Sequence, residues 1–396
     1  MAVSFRSARA DDVERLIDIH AGAFPDPRDR EARSRNFGHN RLGTLDDLWL
    51  LREGDTTLAH AFLFPLEAWF GGVSVRVGGV ATVGVAAEAR GRGLGSRLVE
   101  HLHEVARRRG DALTLLYPFR QGFYGRLGYA PTSAYRRLRF HPAAVPWKPV
   151  LRSRPATGGD RAALGACWAA AGARHTGVLA RTERAWDARL LDERRTWIVV
   201  EGDAGVEGYV VWTVAQTEPH AETRLFVREL VARTVAAERS LWAVVGAQRD
   251  QISEVRADVA ADDPLDRALV DADRARFGDA EVEHTIGEVA SGPMVRVVDA
   301  ARALEARGWL AEGSLRLELD GATVELSVAA GRATVSAAEG QVDVKLDARA
   351  LAAVAFGALP PSQAERLGWL SARDARALAR ADALFALPPY FSPDPF

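Results

Sequence analysis

Three glycines in five positions, Gly91, Gly93 and Gly95, separate an apolar run at Val80–Val85 from an amphipathic run that follows. Glycine lets the backbone take positive φ and approach a ligand closely. Amides from Gly91 through Leu94 to Ser96 would converge at a helix N-terminus, where unpaired donors and the helix dipole favour an anion. Arg90 and Arg92 add fixed positive charge suited to phosphate. The chemistry this turn proposes is pyrophosphate binding. A nucleoside-triphosphatase loop would close with Gly-Lys-Ser/Thr, where this chain has Gly93-Leu94-Gly95. The dinucleotide fingerprint Gly-x-Gly-x-x-Gly belongs to a parallel βαβ unit, whereas a meander of antiparallel strands is expected before this turn.

Other residue types with chemical potential are readily absorbed by structure. Cys167 is the one cysteine, which excludes an internal disulfide and a cysteine-based metal cluster. It lies in an Ala-rich stretch without a neighbouring base, so it reads as a small buried hydrophobe. His101 and His103 sit two apart on a helix and face different directions, so they do not form a metal pair. No metal site is expected. The run Arg107-Arg108-Arg109 reads as the charged last turn of that helix. With 51 basic against 53 acidic residues, the chain carries no basic surplus pointing to nucleic acid. No apolar run reaches a membrane-spanning length, and no secretory pattern is visible, so a cytoplasmic location without a membrane partner is expected.

The elements that must position the turn form an α/β unit. A strand is predicted at Val3–Ser7 and a helix at about Asp11–Ala23, with Val13, Leu16, Ile17 and His20 on one side. Strands follow at Leu48–Glu53, Thr57–Phe64, Val73–Val77 and Gly79–Val85, then a helix at Gly93–Arg109 and strands at Ala112–Tyr117 and Tyr135–Phe140. Four prolines within His141–Pro155 suggest a linker. The middle segment repeats the outline with strands Thr196–Glu201, Gly208–Val214 and Leu225–Ala232 and a helix Val235–Gln248. Its turn after the third strand, Ala232-Arg233-Thr234-Val235-Ala236-Ala237, has no glycine, so it is a degenerate copy. Beyond a boundary at Ser291-Gly292-Pro293, a helix at Val297–Arg307, strands at Ser314–Leu319, Thr323–Ala329 and Val342–Leu346, and further helices indicate an α+β unit. The expected domains are therefore 1–145, 146–291 and 292–396.

The pattern Arg90-x-x-Gly93-x-Gly95 between strand and helix is similar to the acetyl-CoA signature of the GNAT N-acetyltransferase superfamily. The run Phe119-Arg120-Gln121-Gly122-Phe123-Tyr124-Gly125-Arg126-Leu127-Gly128-Tyr129 resembles the segment that follows the fifth strand in that superfamily. Two GNAT units, the second degenerate, before a sterol-carrier-protein-like α+β domain resemble the layout of the Eis (enhanced intracellular survival) acetyltransferases across essentially the whole chain. The resemblance implies an acetyl-CoA-dependent N-acetyltransferase, with Val83, Gly84 and Val85 along the pantetheine arm and an amide near Val85 facing the thioester carbonyl. Phe119 and Arg120 would border the cofactor, Phe119 standing where relatives carry a small hydroxyl residue. Tyr124 would protonate the departing thiolate, a phenol being close enough in acidity to a thiol. Tyr129 would be packing.

The resemblance also assigns the general base to the free carboxylate of an aromatic last residue, here Phe396. Prolines 388, 389, 393 and 395 would stiffen a tail threading into a cleft. Acceptors in that family are aminoglycosides and other small polyamines, bound in an acidic pocket for which Asp26 and Asp394 are the candidate carboxylates, and a hexamer is the expected homo-oligomer. Two other readings stay open: an acetyltransferase of protein lysines or N-termini, and a lipid-binding protein in which the GNAT fold is a relic. The intact glycine turn favours an enzyme over a relic.

Overall fold

Alternating apolar positions and glycine turns set out the first sheet in the computed structural model, which describes residues 3–25, 30–190, 192–216, 223–271 and 286–396. Its strands begin with β1 (Val3–Ser7), β2 (Leu48–Glu53), β3 (Thr56–Phe70), β4 (Val73–Val85), β5 (Leu113–Leu116) and β6 (Ala130–Pro131). The segments predicted as Val73–Val77 and Gly79–Val85 are thus one continuous strand. Helix α1 (Val13–Ala23) and helix α2 (Arg30–Gly38) cross the sheet before β2, and α3 (Leu94–Arg109) connects β4 to β5. Leu94, Leu98, Val99, Leu102, His103 and Ala106 form the buried face of α3 at helical spacing. Gly110, at φ 82°, ends that helix in the left-handed conformation. His103 bonds the Tyr129 hydroxyl at 3.1 Å while His101 stacks on Phe5, as their spacing predicts for different faces.

The chain continues through β7 (Tyr135–Phe140), β8 (Arg152–Pro155), β9 (Thr196–Gly202), β10 (Gly205–Gln216), β11 (Thr223–Ala232), β12 (Glu254–Ala260) and β13 (Gly287–Ala290). Helices α4 (Gln121–Gly125), α5 (Arg161–Gly172), α6 (Glu183–Leu190) and α7 (Val235–Gly246) accompany them. The second sheet has the order β13-β7-β12-β11-β10-β9-β8. Strand β14 (Met294–Val297) then returns to the first sheet, whose order is β1-β2-β3-β4-β5-β14-β6. Cys167, on α5, is buried, its thiol pushed up in pKa by that burial.

The two sheets therefore exchange strands, and the domain boundaries read from the sequence are corrected. Strand β7, assigned to the first unit, pairs with β12 of the second over Tyr135–Phe140. Strand β14, assigned to the third unit and given no strand in the sequence reading, whose helix began at its last residue, Val297, pairs with β5 from Leu113 to Leu116. Proline and glycine marked where the chain turns, but sheet membership is decided by which apolar edge a strand covers. Met294 and Val295 are buried against Leu113–Leu116, an edge that would otherwise be open.

The last unit is a sheet of order β17-β16-β15-β18-β19, built from Gly313–Leu319 (β15), Ala322–Ala329 (β16), Arg332–Ala337 (β17), Val344–Leu346 (β18) and Leu370–Ala372 (β19). Its core is continuous with one face of the first sheet: Phe62, Phe70 and Val75 share a buried cluster with Leu315, Leu351, Phe356 and Tyr390. The junction is tight. A Cβ on Gly71 would lie 2.1 Å from the Gly308 carbonyl oxygen, so glycine is required where these backbones meet. Among the described residues no helix is long and apolar enough to cross a membrane.

Strand exchange predicts that residues 1–145 do not form an independent unit. Expressed alone, this fragment leaves the β5 edge uncovered, and size-exclusion chromatography with a thermal melt should show aggregation and no cooperative transition. A monodisperse fragment that melts cooperatively would count against the exchange.

Candidate active site

Strand β4 parts from its neighbour at the point where a ligand could enter. Its parallel pairing with β5 runs only from Val77↔Leu113 to Gly79↔Leu115, yet β4 continues to Val85. Its other edge pairs with β3, but the register jumps from His60↔Gly84 to Phe62↔Ala81. Thr82 and Val83 thus oppose Ala61 alone in a β-bulge. Thr82 has φ 49°, a strained value for a β-branched residue, and its buried hydroxyl has no hydrogen-bond partner among the described residues. The sequence carried no signal for Thr82; the bulge appears only in the ladder.

Gly84 is glycine for a reason the sequence did not show. A Cβ there would meet His60 Nε2 at 2.7 Å. The imidazole is fully buried, which pushes its pKa down to about 3 and keeps it neutral. The Ala86 amide donates to the Leu58 carbonyl of β3 at 2.8 Å. Amides alternate in direction along an antiparallel ladder, so that of Val85 points to the open edge, where β5 is absent.

At the end of β4 the chain makes the glycine turn. Gly91 and Gly93 have φ 78° and 73°, with no atom within 4 Å of a built Cβ on either. Their conformation, not protein crowding, calls for glycine, and the space above them is open. Gly93 caps α3, leaving the amides of Leu94, Gly95 and Ser96 without intrahelical acceptors. The Leu94 side chain is buried, so only its backbone faces the turn. The two flanking arginines are placed differently from the expectation. Arg90 donates to the Gly22 carbonyl at 2.6 Å, and Arg92 pairs with Glu53 at 2.9 Å. They brace the turn, which leaves the backbone donors as the candidate anion site.

Beside the splay lies a cavity of about 600 Å³ lined by Ala81, Thr82, Val83, Phe119, Tyr124 and Phe396. Tyr124, on α4, is buried, which raises its pKa and keeps the phenol protonated through neutral pH. Its ring packs edge-on to Phe119 and Phe123, with centroids 5.6 and 4.9 Å away. Phe119 is 65% exposed at the cavity mouth, and Arg120 is exposed at the start of α4. Tyr129 is packing, as expected, and accepts a hydrogen bond from Thr114 at 2.9 Å.

The tail reaches this cavity because each step of it is fastened. Tyr390 is buried against Gly177, where a Cβ would lie 2.1 Å from its ring, and its amide donates to Ser133 Oγ. The Phe391 amide donates to the Thr176 carbonyl at 2.9 Å. Asp394 is gripped by Arg181 through two bonds of 2.6 and 3.0 Å and by Arg189. Both arginines also bond Glu229, at 2.7 and 3.1 Å. Arg41 donates to the Pro395 carbonyl at 2.7 Å, and the Phe396 ring packs on Tyr117 with centroids 5.3 Å apart.

Asp394 is therefore corrected from acceptor ligand to anchor: its carboxylate is buried and both oxygens are engaged. Asp26, the other candidate carboxylate, lies outside the described residues. The ionisable side chains at the described rim of the cavity are instead basic residue types, Arg35, His39 and Arg41, and its described lining has no aspartate or glutamate side chain. Residues of α2, which the sequence pattern did not reveal, supply much of this rim.

Comparison with known proteins agrees with this arrangement. An acetyltransferase (GNAT) domain model matches residues 4–132, a second acetyltransferase (GNAT) model matches 177–297, and a sterol carrier protein domain matches 300–392. The chain is 27% identical over 340 residues to N-acetyltransferase Eis of Mycobacterium tuberculosis, covering 80% of this chain and 79% of that one. The crystal structure of a GCN5-related N-acetyltransferase from Kribbella flavida is 25% identical, with a TM-score of 0.84 over 100% of this chain and 98% of that one. Eis1 from Mycobacterium abscessus shares the fold at 20% identity, with a TM-score of 0.80 over the full length of both.

Two consequences are measurable. Asp394→Asn leaves Arg181 and Arg189 one carboxylate short in a buried setting, and breaking such a network costs about 3–5 kcal/mol. Chemical denaturation should show that loss; a change below ~1 kcal/mol would mean the tail is not held this way. Gly93→Ala forces a Cβ into the left-handed region, at about 1–2 kcal/mol, and calorimetry should show acetyl-CoA binding weakened by roughly tenfold.

Proposed function

We propose, from the premise that the chain belongs to the Eis-type GNAT N-acetyltransferases, that it moves acetyl from acetyl-CoA directly to a primary amine, with Phe396 and Tyr124 as base and acid. One observation carries this reading: the last residue and the buried phenol line the same cavity as the bulge of β4.

GNAT acetyltransferases use acetyl-CoA, and the residues present suit it. The open, positive-φ glycines and the start of α3 offer backbone donors to a pyrophosphate. The unpaired edge of β4 offers Val83, Gly84 and Val85 to an extended amide-bearing arm. When bound, the co-substrate supplies an activated acetyl thioester. The Phe396 α-carboxylate takes a proton from the acceptor ammonium, directly or through water, so that the nitrogen lone pair is free to attack. The Val85 amide, aimed at the open edge, donates to the carbonyl oxygen as it gains charge. As the C–S bond breaks, Tyr124 gives its proton to the departing sulfur, and the second N–H proton, lost as the nitrogen becomes a neutral amide, restores the phenol. Its environment supports the role of acid, because burial holds that proton on the phenol until it is needed. Direct transfer needs no cysteine, in keeping with the inert burial of Cys167.

The acceptor is a separate question from the reaction. Aminoglycosides and polyamines are polycations, and they call for carboxylates around the amine. The described lining has arginine and histidine instead, which argues for another kind of acceptor. A relic fold with lipid binding as its function is disfavoured by the retained positive-φ turn, in contrast to the middle unit, where Thr234 caps α7 through its own hydroxyl.

Deleting Phe396 is expected to lower kcat by about 10²-fold or more, the typical contribution of a placed general base, with acetyl-CoA affinity retained by calorimetry. Tyr124→Phe should lower kcat to a similar degree. Because the Tyr124 pKa is raised from its ordinary value of 10, the protonated acid persists to higher pH. Any alkaline fall in kcat/KM that belongs to Tyr124, seen as its disappearance in Tyr124→Phe, should therefore lie above pH 10. Full activity without Phe396 would require another base.

A further inference from the structure

A second cavity, of about 560 Å³, adjoins the first and shares Arg41 and Tyr117 with it. Its remaining cationic walls come from the middle unit: Arg189, Arg194, Arg195 and Arg228. Arg228 arrives by the same device that shapes the first site. The β10–β11 register passes from Val211↔Glu229 to Trp212↔Val227, so Arg228 is the skipped residue of a bulge. It occupies the strand that corresponds to β4, just beyond the point where β11 stops pairing with β12 at Val227.

The carboxylates of this cavity are too few to neutralise all of these arginines. Asp258 is held by Arg137 at 2.8 and 3.0 Å. Asp192 is one carboxylate shared between Arg194 at 2.8 Å and Arg195 at 3.1 Å. Arg189 belongs to the balanced cycle with Glu229 and Asp394. Arg41 bonds the Pro395 carbonyl and Arg228 the Thr213 hydroxyl, neither of them an acid. Taking the arginines of the lining, the acids that line it or pair with those arginines, and the arginines that pair with those acids, the described residues set seven guanidiniums (41, 137, 181, 189, 194, 195 and 228) against four side-chain carboxylates (192, 229, 258 and 394). Burial and repulsion from Arg195 and Arg181 push the pKa of Arg41 down, and burial and Arg195 do the same to Arg228. An anion bound among them relieves that repulsion, whereas a polycation adds to it.

We infer that the acceptor is a small primary amine that also bears a carboxylate or phosphate, with the anionic group held by Arg41, Arg195 and Arg228 and the amine directed past Tyr117 to Phe396. This rests on the acetyl-transfer reading and gives it a substrate class. Arginine forks suit either anion, because both present paired oxygens to a planar donor set.

The experiment is thiol release from acetyl-CoA by the full chain on acceptor pairs that differ in charge: glucosamine 6-phosphate against glucosamine, and the dipeptide Ala-Glu against Ala-Lys, the latter capped as its C-terminal amide so that it carries no carboxylate. The anionic member of at least one pair should have a kcat/KM higher by about tenfold or more, carried by KM and reduced by added salt. Which pair shows the preference identifies the anion. Arg228→Gln and Arg195→Gln should each erode that preference by raising KM for the anionic acceptor while kcat holds. Equal or better turnover of glucosamine and Ala-Lys overturns the inference and leaves acetyl transfer standing. If none of the four turns over, thermal unfolding in saturating CoA decides. A rise in Tm with glucosamine 6-phosphate or Ala-Glu that Arg228→Gln abolishes supports the anion site, and no rise overturns it. Failure of acetyl-CoA itself to bind removes the acetyl-transfer reading and the inference with it.

Discussion

The buried cycle of Asp394, Arg181, Glu229 and Arg189 is the interaction on which the site depends. A chain terminus ordinarily frays, because its last residues gain too little contact to offset their conformational entropy. Here two guanidiniums grip Asp394 two residues before the end, with the Arg181 plane 3.4 Å above the Trp168 ring. Buried charges of this kind are costly unless every partner is present, and the cycle is fully populated. Tyr209 adds a hydrogen bond to Glu229 at 3.2 Å. With Asp394 fixed, Pro395 restricts the remaining backbone and Phe396 is delivered to Tyr117 and the bulge of β4.

This gives the middle unit a physical role. Its strand β11 parts from β12 as β4 parts from β5, but the turn that follows has lost its glycines. The splayed stretch carries Arg228 and Glu229 instead. One of them fixes the tail of the neighbouring site, and the other faces the cavity beside it. The exchange of β7 and β14 makes the two sheets inseparable, so the clamp and the site it serves keep a defined geometry. The third unit contributes through its shared core with the first sheet, where Phe70 packs against Phe356 and Tyr390. Three units thus converge on one short tail.

The positive-φ glycine turn and the splayed strand are set by backbone geometry, and both lie within the residues that the first GNAT model matches. The side chains that line the two cavities come instead from elements such as α2, α6 and β11. At 27% identity to a named N-acetyltransferase Eis, the chemistry carries over more securely than the acceptor.

The sequence by itself determined the elements and the turn. Periodicity placed α3 and β7 almost to the residue, and Arg90-x-x-Gly93-x-Gly95 marked a positive-φ turn at a helix start, because positive φ and free amides are local properties of a few adjacent residues. Tyr124 and Phe396 were legible only through resemblance to a family, since nothing in their own neighbourhoods states that they meet. Tertiary structure decided the rest, because it depends on contacts between residues far apart in the chain. Only the ladder between β3 and β4 reveals the Thr82–Val83 bulge, and only the His60 ring explains Gly84. Arg90 and Arg92 read as phosphate ligands until Gly22 and Glu53 are seen to hold them. Asp394 read as a carboxylate of the acceptor pocket until Arg181 and Arg189, over two hundred positions away, enclosed it. Local conformation is written in neighbouring residues, whereas charge pairing and burial belong to the fold.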